Sequence, residues 1–210
     1  MIFLSRIIIN SVVPQRQKIL NDFYELHRSI MSAFPDEKGD ARQKFNVLFS
    51  IRIKENIAEI IAQSGIKPDW EKSSICPRYA NETWRCKEIG GIVEEAVKKR
   101  KIFSFQLVAS PTKKISSEGK NSKRVLLNKE EDQIDWLIRK GQQNGFEVSL
   151  PSIILRPSEV KSGRKKEVFF RSVEFSGNLA VTEPKRFLEA LVKGIGSEKA
   201  FGCGLLMLSR

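Results

Sequence analysis

Between residues 98 and 210 the hydrophobic period switches in one fixed order, and few architectures accept that order. In "KKRKIFSFQLVASP" (98–111), Phe103, Phe105 and Leu107 alternate with Ser104 and Gln106, the two-residue period of a half-buried strand. "NKEEDQIDWLIRKGQQNGF" then reads as a helix. Asn128 is its expected cap, Glu130 and Glu131 suit its positive N-terminal end, and Gly145 lies beyond its close. "FEVSLPSIILRP" and "KKEVFFRSVEFSGNLAV" return to strand patterning. "TEPKRFLEALVKG" is a second helix with Pro184 in its first turn, and "LLMLS" closes as a strand. The order β-α-β-β-α-β builds a ferredoxin-like antiparallel sheet with two helices on one face.

The first half opens in the same way and then fades. Residues 2–9 form a strand that Pro14 breaks. Ile19, Phe23, Leu26 and Ile30 recur at helical spacing, so one helix is expected from Gln15, ended by Pro35 and Gly39. "FNVLFSIRI" (45–53) and "IAEIIAQ" (57–63) read as strands, and 65–91 shows little pattern. The expected class is α+β: two tandem ferredoxin-like (RRM-like) domains with antiparallel sheets, divided as 1–97 and 98–210. That fold hosts many functions, so function must come from the site.

Charge narrows the choice. Against 25 acidic residues stand 37 Lys and Arg, a net +12, which favours a polyanionic partner. The positive charge is grouped. "KKRK" (98–101) and "PTKKISSEGKNSKR" (111–124) hold nine basic residues and one acid; they include Lys113, Lys114 and Lys120. "RPSEVKSGRKKEVFFR" (156–171) holds six basic residues: Arg156, Lys161, Arg164, Lys165, Lys166 and Arg171. It falls where a β-hairpin turn is expected, with Gly163 at the tip, and a basic hairpin can enter a groove and contact phosphates. The plain alternative is a solvated loop. Three such segments on one basic chain favour nucleic acid.

No apolar run approaches the ~20 residues that span a bilayer. No membrane association is expected, and the cytoplasm is the expected location. Cys76, Cys86 and Cys203 lack metal-ligand spacing, and His27 is the sole histidine, so no metal site or small-molecule cofactor is expected. In "GIGSEKAFGCGLLML" (194–208), Gly194, Gly196, Gly202 and Gly204 follow a helix rather than precede one, which excludes a P-loop or dinucleotide fingerprint. Such glycines let backbone N–H groups approach a phosphate, with Lys199 among them; a helix stop and turn is the plainer reading. His27 lies about 40° from Phe23 on the helical wheel, at the border of the apolar face, with Tyr24 one turn before it. A neutral imidazole can take a proton from a ribose 2′-OH, and an imidazolium can supply one to a leaving 5′-oxygen. Such RNA cleavage needs no metal and leaves a 2′,3′-cyclic phosphate. By spacing alone, a packed helix-edge histidine is the favoured reading.

Several motifs carry a resemblance across nearly the whole chain. They are Tyr24-x-x-His27-Arg28, "SPTKKIS", the Trp136-Leu137 helix, "PDW" (68–70), "VEFSGNLAVTEPKRFLEAL" and, most specifically, "GIGSEKAFGCGLLML". Together they resemble the CasE family, the type I-E CRISPR RNA-processing endoribonucleases. The resemblance implies two ferredoxin-like domains that bind the stem-loop of a CRISPR repeat and cut at the 3′ base of the stem. It implies retention of the product as a Cascade subunit. Carried over, His27 is the general acid/base, Tyr24 a helper at the scissile phosphate, and Arg28 a phosphate ligand. Lys166, or Lys165 beside it, is the lysine near the reaction. The hairpin and the loop of Gly194, Gly196, Lys199, Gly202 and Gly204 bind the RNA stem. The family's Asn-Pro at one strand end is Ser110-Pro111 here. A non-cleaving RNA-binding module of a ribonucleoprotein complex is the alternative.

Overall fold

The structure, a computed structural model, describes residues 1–78, 82–99, 101–115, 123–162 and 169–209. In chain order the first half contains β1 (Phe3–Asn10), α1 (Pro14–Leu20), α2 (Phe23–Met31), α3 (Ala41–Lys44), β2 (Leu48–Lys54), β3 (Ile57–Ser64) and β4 (Thr83–Glu88). α4 (Gly90–Lys99) leads into β5 (Ile102–Ala109), β6 (Thr112–Ile115), β7 (Lys123–Leu126), α5 (Glu130–Gln143), β8 (Phe146–Val148) and β9 (Ile154–Ser162). β10 (Phe169–Val181), α6 (Pro184–Lys193) and β11 (Leu206–Ser209) complete the chain.

Two antiparallel sheets share one plan. In the first, β1 lies between β3 and β4, and β2 flanks β3. In the second, β5 lies between β10 and β11, and β8 flanks β10. In each, the first strand is central and joins the third to the fourth, which is the ferredoxin-like arrangement. The α+β expectation with antiparallel sheets holds.

Each sheet buries one face. In β5 the alternation seen in the sequence puts Phe103, Phe105 and Leu107 in the core with Trp136, Leu137, Phe146, Phe175 and Phe187. The first core gathers Ile7, Ile9, Leu26, Ile30, Phe49, Ile60 and Trp70. Between β3 and β4 no α-helix forms among the described residues; a 3-10 turn, Trp70–Lys72, takes that place. Trp70 is buried there, and its indole N–H donates to Ser5 Oγ at 2.9 Å. The polar end of the ring is satisfied while its body fills the core.

Local expectations need five corrections. The single helix from Gln15 is two, α1 and α2, and the second ends at Met31, before Pro35. Asp22 makes the break: its carboxylate accepts the N–H groups of Tyr24 at 2.9 Å and Glu25 at 3.3 Å, starting a new helix. Asn128 does not cap α5; Lys129 stands at the cap with no side-chain bond, and Asn128 Oδ1 accepts from Arg171 at 3.4 Å. Residues 98–101 do not begin a strand, because α4 runs to Lys99 and β5 starts at Ile102. The Lys/Ser/Gly segment contains the antiparallel β6–β7 ribbon. The patternless 65–91 stretch contains β4, whose exposed edge position leaves no strong alternation to read. No helix of the described residues is long and apolar enough to cross a membrane.

The two sheets meet through side chains that seat the C-terminal loop. Gln63 of β3 donates from Nε2 to the Leu191 carbonyl at 2.7 Å in a buried position. Leu48 of β2 presses on Gly194, where a Cβ would come within 2.7 Å of its Cδ2. With φ at +76°, Gly194 suits only glycine on both counts.

Candidate functional site

His27 occupies α2 where its ring is half-buried, and its Nε2 has no hydrogen-bond partner among the described residues. Leu26 and Ile30 of the same helix are fully buried and fix its orientation. A 3-10 turn of the glycine loop, Lys199–Phe201, packs against α2 and against β2. Opposite ends of the chain therefore meet at the lone histidine.

The electrostatics identify a third member. Burial holds the His27 imidazole below its ordinary pKa of 6.5; the Arg42 guanidinium adds to that, and the Asp40 carboxylate opposes it. Lys199 is likewise held below its usual value, first by burial, then by Arg42 and Lys140. Arg42 thus acts on both. It sits on the four-residue α3, which Asp40 starts by accepting the Gln43 N–H at 3.0 Å. Asp40 also lies 3.6 Å from the Arg42 guanidinium. Arg42 carries no pattern in the sequence and is not among the expected site residues.

His27 is the only imidazole of the chain, so its titration can be read by NMR without assignment. Its midpoint is expected below pH 6.5, the ordinary value. Arg42→Gln removes a charge that disfavours imidazolium, so the midpoint should move up. An unmoved midpoint would remove Arg42 from the site.

Tyr24 is exposed on α2, one turn before His27. Arg28 is exposed and lies 3.4 Å from Glu25, turned away from the apolar edge that holds His27. The Lys199 ammonium donates to the Lys193 carbonyl at 2.7 Å. The glycines divide by role. The amide of Gly194 donates to the Ala190 carbonyl, and that of Gly204 to the Val108 carbonyl at 2.8 Å, so both are engaged within the chain. Gly202 closes the 3-10 turn, and Gly196 faces a groove.

That groove, about 500 Å³, runs between the β6–β7 ribbon and α5. Lys113, Lys114 and Arg124 line it from the ribbon, and Arg139 and Lys140 from the helix, with Trp136 behind them. Among the described residues no acidic side chain lines it. Lys140 is pushed below its ordinary pKa by burial, then by Arg139 and Arg124. Its ammonium lies 5.9 Å from the centre of the Trp136 ring. Crowded cations of this kind are relieved by a polyanion. Lys113 and Lys114 fall where the sequence places binding residues. Arg139 and Lys140 were missed, although each follows Trp136 by about one turn on α5.

The remaining expected cations lie elsewhere. Arg156 on β9 is exposed, 3.6 Å from Glu174. Arg171 is exposed on β10 beside Asn128. Lys161 lies on β9 opposite Phe170, near the end of the β9–β10 pairing. Lys120, Arg164, Lys165 and Lys166 lie outside the described residues. Among the described residues no three His, Cys, Asp or Glu side chains group as metal ligands.

Comparison with known proteins places this geometry. A family model described as CRISPR associated protein matches residues 2–210. The CRISPR-associated endoribonuclease Cse3 of Thermus thermophilus is 26% identical over 221 residues, covering 99% of each chain. The CRISPR system Cascade subunit CasE of Escherichia coli is 29% identical over 199 residues, covering 90% of this chain and 92% of the other. Among solved structures, Thermus thermophilus Cse3 bound to an RNA representing a pre-cleavage complex matches in fold with a TM-score of 0.82 at 23% identity. It covers 100% of this chain and 99% of that one. Escherichia coli Cas6e matches with a TM-score of 0.69 at 26% identity, covering 99% of this chain and 98% of that one.

Proposed function

This chain belongs to the CRISPR-associated protein family, and on that premise we propose that it is a metal-independent endoribonuclease that cuts CRISPR precursor RNA at the 3′ base of the repeat stem-loop. The observation that carries the reading is the His27 Nε2: buried, without a hydrogen-bond partner among the described residues, and with its imidazolium disfavoured by burial and by Arg42. A neutral imidazole whose nitrogen carries no competing hydrogen bond can act as a general base once substrate reaches it. The two curated relatives, named an endoribonuclease and a Cascade subunit, support the same reading.

In the proposed reaction His27 Nε2 takes the proton of the ribose 2′-hydroxyl. The 2′-oxygen bonds to phosphorus as the P–O5′ bond breaks, and the 5′-oxygen leaves with a proton for which Tyr24 is the proposed source. The products carry a 2′,3′-cyclic phosphate and a 5′-hydroxyl. Arg42 and Lys199 oppose the negative charge that grows on the phosphoryl oxygens. Arg28 and a hairpin lysine, Lys166 or Lys165, complete the phosphate contacts. Lys113, Lys114, Arg124, Arg139 and Lys140 hold the RNA backbone, assisted by Arg156, Lys161 and Arg171. Retention of the product as a Cascade subunit, in the cytoplasm, completes the proposal, with residues 1–97 and 98–210 as its two domains.

The test exploits the nucleophile. A repeat hairpin with 2′-deoxyribose at the scissile nucleotide is expected to bind as well as the all-ribose hairpin and to remain uncut. Cleavage of the all-ribose hairpin is expected to persist in EDTA. Cutting of the deoxy substrate, or loss of cutting in EDTA, would overturn this mechanism.

A further inference from the structure

Where β9 pairs with β10 the register shifts between Arg171 and Val173: two residues of β9 stand opposite the single Ser172, a bulge in β9 that faces this serine. Bulges re-aim side chains, often beside functional sites. Ser172 is only 1% exposed, and its Oγ has no hydrogen-bond partner among the described residues. Ser110 stands one register step beyond the Val173–Ala109 pair of β10 and β5. It too is 1% exposed with an unpartnered Oγ. Buried hydroxyls are normally bonded, so two in adjacent register positions need a reason.

A cavity of about 280 Å³ supplies one for Ser172, which lines it; Ser110 is not among its lining residues. Leu126, Leu155 and Pro157 give it apolar walls, while Asn128, Glu130 and Gln133 bring polar groups to its border. Its size is at the low end for a small-molecule pocket. A phosphate is a poor occupant. Glu130 lines the cavity, and Glu131 and Asp132 follow in the same first turn of α5, while the one basic side chain among the described lining residues, Arg171, is engaged with Asn128 Oδ1, so an anion would meet acidic side chains. A flat heterocycle with polar edges fits apolar walls and a few polar groups. The position agrees, because the β6–β7 ribbon and α5 that wall the basic groove also wall this cavity, at their other ends.

We propose that this cavity receives one unpaired nucleobase of the bound RNA, with its faces against Leu126, Leu155 and Pro157 and its edge against the Ser172 hydroxyl and Glu130. The proposal rests on the reading of the chain as an RNA-processing enzyme. The Glu130 carboxylate accepts hydrogen bonds through two oxygens, so the favoured base is guanine, whose adjacent N1–H and N2–H2 groups present two donors side by side.

The experiment measures Kd for repeat hairpins in which each unpaired nucleotide is made abasic in turn. For the wild-type protein one abasic position should weaken binding about tenfold, the loss of one buried, stacked base. Ser172→Val and Glu130→Ala should bind that abasic hairpin and the intact one alike. Glu130 is exposed, so its variant keeps the test readable if the buried Ser172 change unfolds the protein. Tight binding of the intact hairpin with no abasic effect, or Glu130→Ala retaining the full tenfold difference, overturns the pocket alone. Failure of the wild-type protein to bind the intact hairpin at all overturns the functional reading, and the pocket with it.

Discussion

His27→Ala is expected to lower single-turnover cleavage of the repeat hairpin by about 10³-fold, within the range for loss of a general acid or base, while Kd stays within about twofold. The two readouts separate because the basic groove proposed to hold the RNA backbone lies on the β6–β7 ribbon and α5, and none of its lining residues is on α2. Leu26 and Ile30 anchor α2 in the first core, so removal of a half-buried ring should not displace the helix. Gel-shift binding beside quenched single-turnover cleavage checks both halves. A variant that cuts at the wild-type rate would end the catalytic assignment and leave a packed, helix-edge histidine.

The largest expected loss of stability belongs to Arg16. This arginine is 4% exposed, and the Glu82 side chain 3.4 Å away is fully buried. Its guanidinium donates to the Ser74 carbonyl and to the Cys76 carbonyl at 2.6 Å, tying α1 to the segment that precedes β4. Glu82 in turn accepts the Asn10 N–H at 3.0 Å and the Arg78 N–H at 2.8 Å. Arg16→Met removes one charge and strands the other among unpaired carbonyls, which should cost about 3–5 kcal/mol. In a domain of this size that corresponds to a Tm lower by roughly 10 °C. Arg16→Met combined with Glu82→Met should lose less than Arg16→Met alone, because no isolated buried charge remains. Thermal denaturation of the wild type, both single variants and the double variant decides it; a double variant as unstable as the sum of the singles would show that Arg16 and Glu82 act independently and would overturn the coupling.

How far the site could be read in advance varied with the kind of signal. Phe103, Phe105 and Leu107 announce β5 because alternation along a strand is a local property. β4 was illegible because an edge strand with exposed residues has no buried face to impose a pattern. Arg16 illustrates the opposite limit: a charged residue in a polar stretch reads as exposed, yet distant carbonyls and Glu82 take it inside. His27 was visible as the sole histidine and as part of a family motif. Arg42 was not, since its proximity to His27 and Lys199 depends on where α3 and the C-terminal loop come to rest. That Ser110 faces Ser172 is not legible in the sequence, because only the β5–β10 register places them together.

The amino-acid order by itself determined the α+β class, the ferredoxin-like order of the second half, the basic character of the β6–β7 segment and the candidacy of His27. Those follow from periods and charges carried by neighbouring residues, which act before any long-range contact exists. Only the tertiary structure decided that the Lys199 turn packs on the His27 helix, that Arg42 acts on both, and that a cavity opens beside Ser172. Those facts depend on packing between segments far apart in the chain, where burial and low local dielectric set the protonation of an imidazole and the worth of a hydroxyl.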